Sequence, residues 1–134
     1  MAEAVEGVAE GVTQAEPLGR GRRDLEQVHL AAARRKASDS SVALLRVEQL
    51  YPVPGAQVRD ALAGYPNATD VVWVQEEPAN QGAWAHIALS LPEQLPSEVR
   101  LRRVSRRASA SPAAGSSKVH EAEQTALVQA VFDR

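Results

Sequence analysis

The sequence holds 134 residues, 44% of them apolar but only 4% aromatic, with a net charge of -2 and no cysteine. That length suits one domain around one core, built mostly of Val, Leu and Ala, with Trp73 and Trp84 as its largest pieces. The charge argues against a dedicated nucleic-acid binder, and the missing cysteines exclude disulfide scaffolds and thiolate metal sites. No apolar run approaches the ~20 residues that span a bilayer, and the N-terminus lacks a basic-then-apolar signal pattern. The expected compartment is the cytoplasm, with neither a membrane nor a nucleic acid as partner.

Residues 1–23 are expected to be a disordered segment, acidic then basic. Met1 to Gly19 contains no Lys or Arg, and its small apolar residues bury too little to offset the entropy of ordering. Arg20, Arg22 and Arg23 among glycines make a flexible basic link. Residues 24–134 form the expected domain. Asp24 can cap a helix whose apolar face is Leu25, Val28, Leu30, Ala32 and Ala33, closed by Arg34, Arg35 and Lys36 against the dipole.

Val42–Val47 is a continuous β-rich run, the sign of a central strand of parallel type. Tyr51-Pro52-Val53-Pro54 is a rigid crossing. A helix with Ala56, Val58, Ala61 and Leu62 follows and stops at Gly64 and Pro66. Asp70–Gln75 is the next strand and runs straight into Glu76 and Glu77. Pro78 bars helix before it, and Asn80 offers an N-cap oxygen to a helix with Ala83, Trp84, Ile87, Ala88 and Leu91. Pro92 breaks or kinks that helix.

Val99–Val104 alternates apolar and basic, a strand with one wet face nearer the sheet edge. A Ser/Ala/Pro/Gly loop follows. Ser116 or Ser117 can cap the last helix, whose expected buried face is Val119, Ala122, Ala126, Leu127, Ala130 and Val131. Alternating helix and strand argues α/β, a parallel sheet covered on both faces.

The stretch Val71 to His86, VVWVQEEPANQGAWAH, places an acidic turn at a strand's carboxyl end. In open α/β sheets that edge holds ligands and partner domains. Glu76 and Glu77 are adjacent and so make a poor acid/base pair. One is expected to cap the Asn80 helix and the other to pair with the Arg106–Arg107 region, unless either meets a neighbouring domain. Gly82, one turn into its helix, points to close approach by another element. His29, His86 and His120 have no zinc-like spacing, and the serines lack a nucleophile elbow. The residues alone show a binding or packing domain and no catalytic constellation.

VVWVQEEPANQGAW, together with VALLRVEQLYPVP at Val42–Pro54, SRRASASPAAGSSKVH at Ser105–His120 and the terminal EQTALVQAVF, resembles the closing domain of the thiamine-diphosphate-dependent 2-oxoglutarate dehydrogenase first component. The family includes the multifunctional 2-oxoglutarate metabolism enzyme of actinobacteria. The resemblance covers roughly Leu25 to the end and rests on four ordered blocks. It implies a three-layer αβα sandwich like the transketolase C-terminal domain. The family's opening strand is missing here, with Gly19-Arg20-Gly21-Arg22-Arg23 in its place, which leaves an exposed sheet edge. This departure points to a detached or truncated tail, or to an altered reading frame.

The resemblance also implies that thiamine diphosphate and magnesium bind in other domains, so this chain holds no cofactor, no metal and no catalytic residue. The implied role is structural and regulatory. The expected docking residues are Glu76, Glu77, Asn80, Gln81, Gly82, Trp84 and His120. Gln49, Arg106 and Arg107 are the effector or anion candidates, although Gly55-Ala56-Gln57 stands where actinobacterial relatives carry arginines. Expected partners are catalytic domains of the same enzyme, a separately encoded subunit, or a second copy. The alternatives are a stand-alone anion- or nucleotide-binding module using Arg100–Arg107 and a degenerate remnant.

Overall fold

The computed structural model describes Leu30, Ala32, Ala33, Arg35, Lys36, residues 42–111 and residues 115–132. They belong to two units, one up to Ala68 and one from Thr69. The expectations for residues 1–23, for Leu25, Val28 and His29, and for Pro112–Ala114 lie outside the described residues.

In the first unit, Leu30, Ala32, Ala33, Arg35 and Lys36 are helical. Leu30 is buried and Ala33 half-buried, as the apolar pattern requires, whereas Ala32 is exposed. Val42–Val47 corrects the sequence reading. This run is half-buried apart from Arg46, but it is not a strand. A β-rich run has a propensity for pleated, half-buried surface, and a strand also needs a neighbour to complete its ladder. Among the described residues the only ladder joins two other segments.

Helix α1, Gly55–Ala63, starts without a side-chain cap; the Pro54 carbonyl accepts the Val58 amide at 3.0 Å. Gly55 and Val58 are buried, Ala61 and Leu62 half-buried, and Ala56, expected inside, is exposed. The last turn tightens, with the Gly64 amide donating to Ala61 O and the Tyr65 amide to Leu62 O. Pro66, lacking an N–H, cannot extend it.

The second unit is a strand–helix–strand crossover followed by a helix. Strand β1, Asp70–Pro78, and strand β2, Arg100–Arg106, pair in parallel. A parallel pair needs a crossover connection. Helix α2, Trp84–Ser90, and the single 3-10 turn Pro92–Gln94 supply it. Pro92 stops α2 as expected. Within α2, Ile87 is 1% exposed and Leu91 just beyond it is also buried, matching the predicted face. Burying such a side chain fully is worth about 1.5–3 kcal/mol.

The register runs evenly from Asp70 opposite Arg100 to Val74 opposite Val104, then jumps to Pro78 opposite Arg106. Gln75, Glu76 and Glu77 therefore share the space across from Ser105 alone. This is a β-bulge, a device that bends a strand and re-aims its side chains. The strand was expected to end at Gln75; it continues through the bulge to Pro78.

Helix α3, Ser117–Phe132, starts where predicted, with Ser116 Oγ accepting the Val119 amide at 3.3 Å. Its buried face is rotated from the expected one. Leu127 is buried and Glu123, Gln124, Val128, Val131 and Phe132 are half-buried, whereas Val119, Ala122, Ala126 and Ala130 are exposed. Alanines contribute little area, so the larger Leu127, Val128 and Phe132 set the phase. An ion pair between Arg106 Nη1 and Glu123 Oε2, 3.2 Å, holds that phase from β2. Among the described residues no helix is long and apolar enough to cross a membrane.

Candidate functional site

The β1 bulge delivers a buried amide into the turn that follows. Gln75 is 3% exposed, and both ends of its side chain are engaged. Its Oε1 accepts the Trp73 indole N–H at 2.9 Å and the Trp84 backbone N–H at 3.0 Å. Its Nε2 donates to Gln81 O at 2.8 Å and Pro78 O at 3.2 Å, with a longer contact to Glu77 O. A buried polar group is costly unless paired, and here the amide is paired on every side. The turn is folded around it.

A second set of bonds ties the turn to the segment after β2. Asn80 and Ser109 bond reciprocally. Asn80 Nδ2 donates to Ser109 O, the Ser109 amide donates to Asn80 Oδ1, and both bonds are 3.0 Å. Gln81 Nε2 donates to the same carbonyl at 2.9 Å. The Ala79 amide donates to Arg106 O at 3.0 Å, and Arg106 Nε donates to Glu76 O. One sequence expectation changes here. Asn80 does not cap α2; Ala83 is the N-cap residue, without a side-chain bond, and Gln75 Oε1 takes the first helical amide. Arg106 meets the Glu76 backbone and pairs with Glu123.

Gly82 is required, for a different reason than the one expected. It lies before α2 with φ +68, a conformation that L side chains rarely adopt. A Cβ there would lie 3.0 Å from Glu77 Cβ and 3.1 Å from Gln75 Nε2. The close approach comes from β1's own bulge. Trp84 is half-buried, with the Arg103 guanidinium 5.4 Å from its ring centroid, a cation–π distance.

Of the expected docking residues, the structure gathers Glu76, Glu77, Asn80, Gln81, Gly82 and Trp84 into one turn. Glu77, Asn80 and Gly82 are its exposed points. His120 is exposed on the first turn of α3, its amide donating to Ser116 O at 3.0 Å. Among the anion candidates, Gln49 is exposed in the first unit and Arg107 is exposed after β2. The Arg106 side chain is only 14% exposed and turned inward. Of the remaining β2 arginines, Arg100 and Arg102 reach Asp70 Oδ1 at 3.2 and 3.3 Å. Asp70 Oδ1 is buried and takes no well-directed hydrogen bond, so its partners act on it as charges. The Asp70 carboxyl is held below its ordinary range first by the Thr69 hydroxyl, against partial desolvation, and then by Arg100 and Arg102.

Sequence reasoning missed Gln75, Ser109, Glu123 and Asp70. Gln75 had a signal: it is the polar residue that follows Val-Val-Trp-Val without a turn. Ser109 and Glu123 had none, because their partners are 29 and 17 residues away.

Among the described residues no three His, Cys, Asp or Glu side chains gather to hold a metal, and Asp70 and Glu123 already face arginines.

A family model for the 2-oxoglutarate dehydrogenase C-terminal region matches residues 27–132. The chain is 49% identical over 104 residues, 77% of its length, to a multifunctional 2-oxoglutarate metabolism enzyme of Mycolicibacterium vanbaalenii, covering 8% of that protein. It is 44% identical over 109 residues, 80% of its length, to a 2-oxoglutarate dehydrogenase E1/E2 component of Corynebacterium glutamicum, covering 9% of that protein. A multifunctional 2-oxoglutarate metabolism enzyme of Mycobacterium sp. (strain JLS) is 47% identical over 104 residues, 77% of this chain and 8% of that protein. The chain thus spans under a tenth of the length of these relatives. The matched segment contains the bulge, the turn and all three labelled helices: the chain belongs to the 2-oxoglutarate dehydrogenase C-terminal family.

Proposed function

We propose that this chain is a non-catalytic structural and regulatory domain of a 2-oxoglutarate dehydrogenase decarboxylase component, and that the Glu76–Trp84 turn is its docking surface. The observation that carries the reading is the turn itself. Its tip residues Glu77, Asn80 and Gly82 are exposed, yet Gln75 and Arg106 donate to its backbone carbonyls, and Ser109 bonds the Asn80 and Gln81 side chains. A surface already fixed in shape loses little conformational freedom on association. It lies at the carboxyl end of a parallel strand, the edge at which α/β sheets hold ligands.

On this reading the fold is the three-layer sandwich of the transketolase C-terminal domain. Trp84 of α2 bonded to β1 and Glu123 of α3 bonded to β2 support it. Thiamine diphosphate and magnesium belong to the catalytic portions, in the same enzyme, a separate subunit or a paired copy. The work is done in the cytoplasm, in the tricarboxylic acid cycle.

The test is an assay of the purified chain with 2-oxoglutarate, thiamine diphosphate and magnesium, alone and mixed with the Mycolicibacterium vanbaalenii enzyme deleted for the segment this chain matches. Expected are no carbon dioxide release from the chain alone, and co-purification with restored turnover in the mixture. Turnover by the chain alone contradicts the non-catalytic reading. Absence of any complex contradicts docking.

A further inference from the structure

We infer that Gln75 is the positioning residue of the docking turn, and that only a side chain with both an acceptor and a two-proton donor can hold that turn in shape. The inference rests on the docking reading for its purpose but not for its test. The acceptor end fixes two donors that come from different elements: the indole of Trp73 on β1 and the first helical amide, Trp84, of α2. The donor end faces carbonyls only, those of Glu77, Pro78 and Gln81, which wrap around it.

Only a carboxamide satisfies both ends, and asparagine is one methylene shorter than the side chain that spans them here. An aliphatic side chain would leave the Trp84 amide and the Gln81 carbonyl unpaired inside the turn, each at the cost of a buried unmet polar group. A glutamate would keep the Trp73 and Trp84 bonds but turn an anionic oxygen toward carbonyl oxygens, which have no proton to offer it. Protonated, the same glutamate regains one donor and can reach Gln81 O. Burial favours that neutral form. The Gln75→Glu variant therefore makes the turn's geometry titratable, a behaviour that simple filling of space would not produce.

Gly82 belongs to the same device. Its bare Cα leaves room for the amide: a Cβ built there would lie 3.1 Å from Gln75 Nε2. The outer clasp of Asn80, Gln81 and Ser109 lies in exposed surroundings, where water competes for each bond. Gln75 supplies the inner, dry set, so the turn's shape depends on it more than on the clasp.

Amide and indole hydrogen exchange on the full chain tests this, read as protection factors so that the intrinsic pH dependence cancels. In the wild type, the Trp73 indole, the Trp84 amide and the Gln75 side-chain amide are expected to be protected. The exposed Gln57 side-chain amide serves as reference. Gln75→Leu is expected to lower protection of the Trp73 indole and Trp84 amide at least about tenfold, with Ile87 and Leu127 amides unchanged. Gln75→Glu is expected to have weak turn protection at about pH 8 and to gain it as pH is lowered toward about 4, with a midpoint above the ordinary glutamate value because burial favours the neutral acid.

A wild-type Gln75 side chain that exchanges as freely as Gln57 overturns the inference, even if both variants fail to fold. Equal loss of protection at Ile87 and Leu127 also overturns it, because Gln75 would then be an ordinary core residue. A Gln75→Glu turn indifferent to pH does the same. If exchange behaves as expected but both variants bind the truncated Mycolicibacterium enzyme as the wild type does, the positioning role stands and the docking reading fails.

Discussion

Single residues in this chain act through polar pairing more than through bulk. Gln75 joins two tryptophans and a turn, and Arg106 joins the bulge to α3 through Glu76 O and Glu123. Asp70 does the same at the start of the sheet, drawing Arg100 and Arg102 to one carboxylate. Because its folded carboxyl titrates below the ordinary value, the Asp70 contribution to stability is present above about pH 4 and is lost as pH falls through the lower folded value. Urea midpoints of wild type and Asp70→Asn are expected to differ at pH 7 and to draw together as pH falls below about 4; a constant difference would contradict the pairing. The arginine is one of the pair's solvent-facing members, with Arg100 75% exposed, so the pH 7 difference is expected to be small.

At the scale of elements, legibility in the sequence followed the size of the apolar residues. The α2 face was readable because Ile87 and Leu91 are large and one turn apart, on the side of the half-buried Ala83, Trp84 and Ala88, while Leu89 alone is large and exposed. The α3 face was not, because alanines at 122, 126 and 130 give periodicity without much area, while Glu123 enters the buried side through its bond to Arg106. The bulge was invisible because register is set between strands and not within one. Val42–Val47 misled for the same reason: propensity describes a segment, whereas a strand is a property of two. The rotated α3 face makes a direct prediction. Leu127→Ala is expected to cost about 2–5 kcal/mol, and Ala126→Ser to stay within about 0.5 kcal/mol. Chemical denaturation of both variants checks this, and comparable losses at the two positions would restore the face read from the sequence.

For the whole molecule, the turn at the end of β1 is the feature around which the described second unit is arranged. The bulge, the buried amide, the glycine and the clasp to Ser109 hold the turn, and Glu77, Asn80 and Gly82 are exposed on it. The sequence made the turn findable, since a β-run ending in two carboxylates and a proline is uncommon within a strand. It could not reveal which side chains face inward, because that depends on Ser109 and Arg106 returning from thirty residues away. The chain belongs to the 2-oxoglutarate dehydrogenase C-terminal family and spans under a tenth of the length of the relatives it matches; the docking role is the proposal made for a segment of that size. Calorimetric titration of the wild type and Glu77→Lys into the Mycolicibacterium vanbaalenii enzyme lacking the matched segment tests that claim most directly. Glu77 is exposed at the tip, so reversing its charge leaves the inner bonds intact. The account predicts binding by the wild type and at least about a tenfold weaker Kd for Glu77→Lys, with unchanged thermal unfolding; equal affinity for the two proteins would contradict it.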